Sequence, residues 1–234
     1  MLRFLSDVNQ LLGLYKEGIP QAKEALEILE RIDDTEGQAI CLVDIARLFF
    51  EGNQLDAAEN AVLRGINLTT RDGQEFITCQ LYWVLGRISC SKGEKEKAIY
   101  HFKTALRIAS PSNWQSELFW NHQNLAQLFC DEDKFDNANA HVKQAKSHAV
   151  DDIYQLGRAT QIQAQIWYQQ YRLEDAKSEA LHALEIYERL GAAHDAEDCR
   201  DLLQDMEQAI NNWSAGFRGE LEEYCALRLL TSAS

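Results

Sequence analysis

The chain has 234 residues, 46% apolar and 26% charged, proportions of a globular chain rather than a disordered one. Its 23 basic and 37 acidic residues give a net charge of −14, a field that repels nucleic-acid phosphates and anionic membrane surfaces before contact. With 2 prolines and 12 glycines, the chain lacks the turn formers of an all-β sandwich, and long helices are expected instead.

Taken in chain order, the expected helices fall into units about 40 residues long. Ala46, Gly86 and Ala126 are 40 residues apart; twelve places later stand Ala58, Ala98 and Ala138, and nineteen places later Gly65, Ala105 and Ala145. The same columns recur upstream as Ser6, Gly18 and Ala25, and downstream, after a two-residue contraction, as Ala164, Ala176 and Ala183. Every one is Ala, Gly or Ser, although these types make up only about a fifth of the chain. Apolar residues at helical spacing lie between them. Leu42, Ile45, Leu48 and Phe49 form one stripe, and Leu55, Val62, Ile66 and Leu68 the next. Short polar turns part the stripes at Glu51–Gln54, Ser91–Glu94, Asp131–Lys134 and Gln169–Arg172. Each unit therefore reads as helix A, tight turn, helix B. Asp56, Glu96, Asp136 and Glu174 open the B helices, where the helix dipole favours an acid, and Pro111 and Gly191 close two of them. The small columns imply that backbones approach closely, and a lone hairpin cannot bury both of its faces, so stability must come from stacking.

The pattern resembles the tetratricopeptide repeat, best in the third unit with Tyr82, Leu85, Gly86, Gly93, Ala98, Phe102, Ala105 and Ser110-Pro111. The 40-residue period is longer than the family's common 34 and is similar to that of kinesin light chains, Pins-type adaptors, and the arrays attached to NACHT or NB-ARC signalling ATPases. Ala183 to Ala193 is most similar to the last group, although the chain has no phosphate-loop motif. The resemblance implies an all-α, right-handed α-solenoid of antiparallel hairpins over residues 1–210. The repeats would span 1–36, 37–75, 76–115, 116–155 and 156–192, followed by a closing helix at 193–210 and a tail at 211–234 in which Leu221, Tyr224, Leu227 and Leu230 could form one more helix. Met1 falls two or three residues inside the expected first helix A. Phe4, Leu5 and Val8 are apolar where a terminal repeat is normally polar. They suggest a piece of a longer array, or self-association through that uncapped repeat.

In tetratricopeptide arrays the hollow side is lined by helix A. The family's columns place Val43, Arg47 and Phe50, then Trp83, Arg87 and Cys90, then Gln123, Gln127 and Cys130, then Gln161, Gln165 and Tyr168 on that wall. Arginines suit carboxylates, glutamines a peptide backbone, and aromatics apolar side chains. The resemblance implies a scaffold that binds a protein or peptide, with acidic side chains among its contacts. A solvated polar face without a ligand, and a sensor or autoinhibitory module of a signalling ATPase, are the alternatives. Of the family's carboxylate-clamp residues only Asn124 is matched.

No catalytic set, metal signature or cofactor motif is visible, so neither enzyme activity nor a cofactor is expected. His101, His141 and His148 are expected to face solvent, and His122 to be half-buried with a partner. The acidic run Asp131–Asp136 lacks the glycine and distal glutamate of a calcium loop and reads as a turn. Trp114, Trp120 and Trp167 read as packing residues. Six cysteines without a C-x-x-C pair fit reduced thiols in a cytoplasmic protein. No run approaches the roughly 18–20 apolar residues of a membrane span, and Met1–Asp7 reaches an acid too soon for a secretory signal.

Overall fold

The computed structural model describes residues 15–69, 73–149, 151–209 and 211. Among these residues the helices are α1 (Tyr15–Arg31), α2 (Thr35–Glu51), α3 (Leu55–Leu68), α4 (Glu75–Ser91), α5 (Lys95–Ala109), α6 (Gln115–Cys130), α7 (Phe135–His148), α8 (Ile153–Gln169), α9 (Leu173–Leu190) and α10 (193–209). A 3₁₀ turn, Ser110–Ser112, carries Pro111 after α5. No strand occurs among the described residues. The fold is the all-α solenoid implied by the repeat, in which α2/α3, α4/α5, α6/α7 and α8/α9 form successive antiparallel hairpins. No described helix is long and apolar enough to cross a membrane.

The small columns hold the stack together. Of their members, Ser6 lies outside the described residues, and every other one is buried, most with no exposed surface at all. Two glycines show how close the helices come. A Cβ on Gly65 of α3 would stand 2.9 Å from Leu81 of α4, and one on Gly86 of α4 would stand 2.4 Å from the ring of Phe102 on α5. Bulk at these points would push the hairpins apart.

Two kinds of helix result. Helices α2, α4, α6 and α8 each touch their own hairpin partner, the preceding outer helix and one another, so they are buried on several sides. Helices α3, α5 and α7 pack chiefly against their own partner and the next inner helix, and bury a single stripe. The first kind forms an inner wall, the second an outer layer.

The four turns from inner to outer helix share one backbone geometry. Asn53, Gly93, Asp133 and Tyr171 are left-handed, with φ of 55°, 74°, 56° and 59°. In each turn the next amide donates back to a carbonyl five residues earlier: Gln54 to Phe49, Glu94 to Ser89, Lys134 to Phe129 and Arg172 to Trp167, at 2.8–2.9 Å. This pairing satisfies carbonyls left over at the helix end. The run Asp131–Lys134 is thus the same turn as the others. Acids stand in the first turn of each following helix, at Asp56, Glu96, Asp136 and Glu174.

Phe4, Leu5, Val8, Leu221, Tyr224, Leu227 and Leu230 lie outside the described residues, and with them the expectations of N-terminal self-association and of an added C-terminal helix.

Replacing Gly86 with Ala should force the fully buried Phe102 ring to move. The expected loss is about 1–3 kcal/mol of stability, read as a lowered midpoint in urea denaturation. An unchanged midpoint would show that the ring has room to give.

Candidate functional site

The inner wall carries a stack of alternating aromatic and guanidinium groups. Arg87 places its Cζ 4.3 Å from the centre of the Phe50 ring and 5.0 Å from that of Trp83, while Arg47 Cζ lies 5.5 Å from Trp83. A guanidinium plane on an aromatic face gains cation–π attraction and loses conformational freedom before any ligand arrives. Arg87 also donates from Nη2 to Glu51 Oε1 at 3.4 Å. Burial lowers its pKa; Glu51 acts the other way. Arginine nevertheless stays charged, so the wall holds two fixed cations in a chain of net charge −14.

The wall columns divide by exposure. Arg47, Arg87, Gln127 and Gln165 are all half-buried, as are Phe50 and Tyr168. The column of Val43, Trp83, Gln123 and Gln161 behaves differently. Val43 (2% exposed), Gln123 (7%) and Gln161 (6%) are buried, whereas Trp83 is half-buried. Val43 therefore belongs to the core rather than to a binding surface. Gln161 is committed to Tyr187, whose hydroxyl donates to its Oε1 at 3.0 Å. Gln127 donates to Asp131 Oδ1 at 2.9 Å. Cys90 is exposed and Cys130 is buried, its thiol 3.1 Å from Gln169 Oε1; both are free.

One turn up the same helical face lies a part of the wall that the column reasoning missed. Gln80 and Trp83 of α4 and Glu117, Trp120 and Asn121 of α6 join Arg47 around a pocket of about 190 Å³. The signal was available, since Gln80 and Trp120 are 40 residues apart and stand three places before Trp83 and Gln123. Trp120, expected to be a packing residue, contributes to this wall while its edge meets Phe119, with ring centres 5.0 Å apart. Burial raises the pKa of Glu117, opposed by Gln80's hydrogen bond and Arg47's charge. Trp114 packs edge-on against Phe76 at 5.0 Å, and Trp167 is covered by Arg172 at 4.6 Å.

The histidines depart from expectation. His101 and His141 are half-buried rather than solvent-facing, because the hairpin brings His141 against α6. Its Nδ1 lies 2.8 Å from His122 Nδ1, so one ring donates while the other accepts. His148 stacks on His122 at 5.8 Å, and its Nδ1 lies 2.7 Å from Gln115 Oε1. Phe129 stacks on His141 at 5.5 Å. No group of three or more His, Cys, Asp or Glu among the described residues is arranged to hold a metal. Burial, with the charges of His141 and His148, lowers the His122 pKa to about 4; burial and Lys103 lower that of His141, and burial that of His148.

The family model for the tetratricopeptide repeat matches residues 1–71. No curated protein sequence matches the chain significantly. Solved structures share its fold. BtubC (BKLC) from P. vanneervenii is 16% identical over 84% of this chain and 92% of its own, with a TM-score of 0.64. A Rap protein complexed with Competence and Sporulation Factor is 17% identical over 90% of this chain and 64% of its own, at 0.66. The nearly identical TPR-like repeats of a nominal kinesin light chain from Podosopora anserina are 12% identical over 82% of this chain and 95% of theirs, at 0.63. The chain thus resembles tetratricopeptide repeat proteins in sequence over its first 71 residues and in fold over most of its length.

The depressed histidine pKa values fix the sign of one pH effect. Between the ordinary value near 6.5 and about 4, the unfolded chain binds a proton at position 122 that the folded chain refuses. Stability should therefore fall as pH drops through that window. A His122→Gln variant should show a flatter dependence of thermal midpoint on pH than the parent between pH 7 and 4.5. Parallel curves would assign the acid sensitivity to other groups.

Proposed function

We propose that this tetratricopeptide-type solenoid is a protein-interaction scaffold whose inner wall binds an acidic segment of a partner. The carrying observation is the Phe50–Arg87–Trp83–Arg47 stack, which holds two guanidinium groups in place on the inner helices. Each can grip a carboxylate, and the aromatic rings beside them offer apolar anchorage. Preordering lowers the entropy cost of capture, because the side chains do not have to be immobilised by the ligand. The glutamine side chains of positions 127 and 165 extend the same surface along α6 and α8, with amides suited to a peptide backbone. The fold is also that of a Rap protein seen in complex with Competence and Sporulation Factor, which supports a binding role for the solenoid.

Peptides selected from a displayed random library against the full chain should be enriched in Asp or Glu beside aromatic or aliphatic residues. Their affinities should lie near the micromolar range, about −8 kcal/mol. Two charge-assisted hydrogen bonds, each about 1.5–3 kcal/mol, would be lost in the Arg47→Glu, Arg87→Glu double variant. Its affinity should drop by about 100-fold or more in fluorescence polarisation, with the helical circular dichroism retained. Arg87→Lys, which keeps the charge without the planar stack, should weaken binding severalfold. Equal affinity of parent and double variant would remove the acidic-segment assignment.

A further inference from the structure

Between successive outer helices one column of side chains plugs the gap. Positions 61, 101, 141 and 179 are equivalent, each three residues after the small residue at 58, 98, 138 or 176. His101 of α5 faces Tyr82 of α4, with ring centres 6.0 Å apart; burial lowers its pKa, and Glu59 of α3 opposes that shift. His141 of α7 meets His122 of α6 at 5.1 Å; burial and the charge of Lys103 on α5 lower its pKa. Glu179 of α9 pairs with Lys146 of α7 at 2.9 Å. Each of the three thus interacts with the preceding outer helix. At position 61 the residue is alanine, which is too short to do so.

An open pocket of about 540 Å³ remains there, between α1, α2 and α3. That volume lies within the roughly 300–1,000 Å³ of small-molecule sites. Leu26, Leu42, Ile45, Phe49, Ala57 and Ala61 give it an apolar lining. The exposed members of the lining include Lys23 and Arg64 against Glu27 and Glu30, and Arg64 is paired with Glu30. A charged ligand gains nothing from a rim with two charges of each sign, and it loses hydration on entering an apolar site. The rings that meet in the next two layers, Tyr82 with His101 and His122 with His141, show that the spacing of these helices admits a flat group.

We infer that this pocket binds a small, uncharged aromatic molecule, whose ring takes the place between α1 and α3 that a side chain takes between later outer helices. The site is separate from the arginine stack of the inner wall, and neither reading rests on the other.

The test titrates the full chain, labelled with ¹⁵N, with indole, and for comparison with tryptamine, indole-3-acetate and cyclohexanol. Indole should shift the backbone amides of Leu42, Ile45, Ala57 and Ala61 in a saturable way. It should bind at least about 5-fold more tightly than the cation, the anion or the aliphatic ring. Ala61→His installs the plug of the next two layers and should weaken indole binding about 10-fold or more, with helical circular dichroism retained. If that variant does not fold, Ala57→Leu, at a half-buried position of the same lining, should weaken indole severalfold. The Arg47→Glu, Arg87→Glu double variant should bind indole as the parent does. The inference is overturned by absence of saturable shifts at these amides, or by a charged probe or cyclohexanol binding as tightly as indole. Indole binding that survives the plugging substitutions unchanged, or that is lost with the two arginines, overturns it as well.

Discussion

Helices can pack only as closely as the side chains between them allow, and in this protein that distance is set by alanine and glycine at three places in each repeat from the second onward. Ala46, Ala98, Ala126, Ala138 and Ala164 have no exposed surface, and Gly86 has no room for a methyl group against Phe102. Close approach brings the larger residues of each stripe into contact on either side, among them Leu48, Leu81, Ile88, Phe102 and Leu125, all fully buried. The repeated left-handed turn then returns the chain in the same direction each time. Stacking follows from these two local rules, without any contact between distant repeats.

The inner wall inherits its properties from that packing. Because α2, α4, α6 and α8 are clasped on several sides, their remaining free faces are narrow, and the side chains on them are ordered by neighbours. Arginine fits this setting well. Its stem lies along the wall, its plane covers an aromatic ring, and its charge remains at the surface. The histidine group between α6 and α7 obeys the same economy of space with another outcome: burial opposes protonation of all three rings, and at His122 the charges of His141 and His148 add to it.

How much of this was legible in the sequence depends on the length scale. The small columns and the turn residues at positions 53, 93, 133 and 171 repeat in register, so helix order and pairing could be read from spacing. The wall was legible only in part. Arg47, Arg87, Gln127 and Gln165 share one column and one environment, but Val43, Gln123 and Gln161 share a column with Trp83 and are nonetheless buried. Equivalent backbone positions do not give equivalent exposure when side-chain length decides whether a group clears the neighbouring helix. Trp120 shows the reverse, since a large apolar residue at helical spacing looks like core until the two flanking helices are seen to leave a gap. His141 looked solvent-facing because its partner, His122, lies 19 residues away on the other helix of the hairpin.

The ion pairs on the outer side carry a mechanical implication. Lys92 of the α4–α5 turn reaches Asp56 and Glu59 on α3, Lys146 of α7 reaches Glu179 on α9, Lys177 of α9 reaches Glu207 on α10, and Arg64 of α3 reaches Glu30 on α1. Each tie spans adjacent layers and keeps some exposure to water, most in the Arg64–Glu30 and Lys177–Glu207 pairs, so salt weakens it while the apolar contacts beneath persist. The array is thereby built like a spring with adjustable fasteners along one edge. Its pitch should respond to ionic strength, and with it the spacing between successive inner helices.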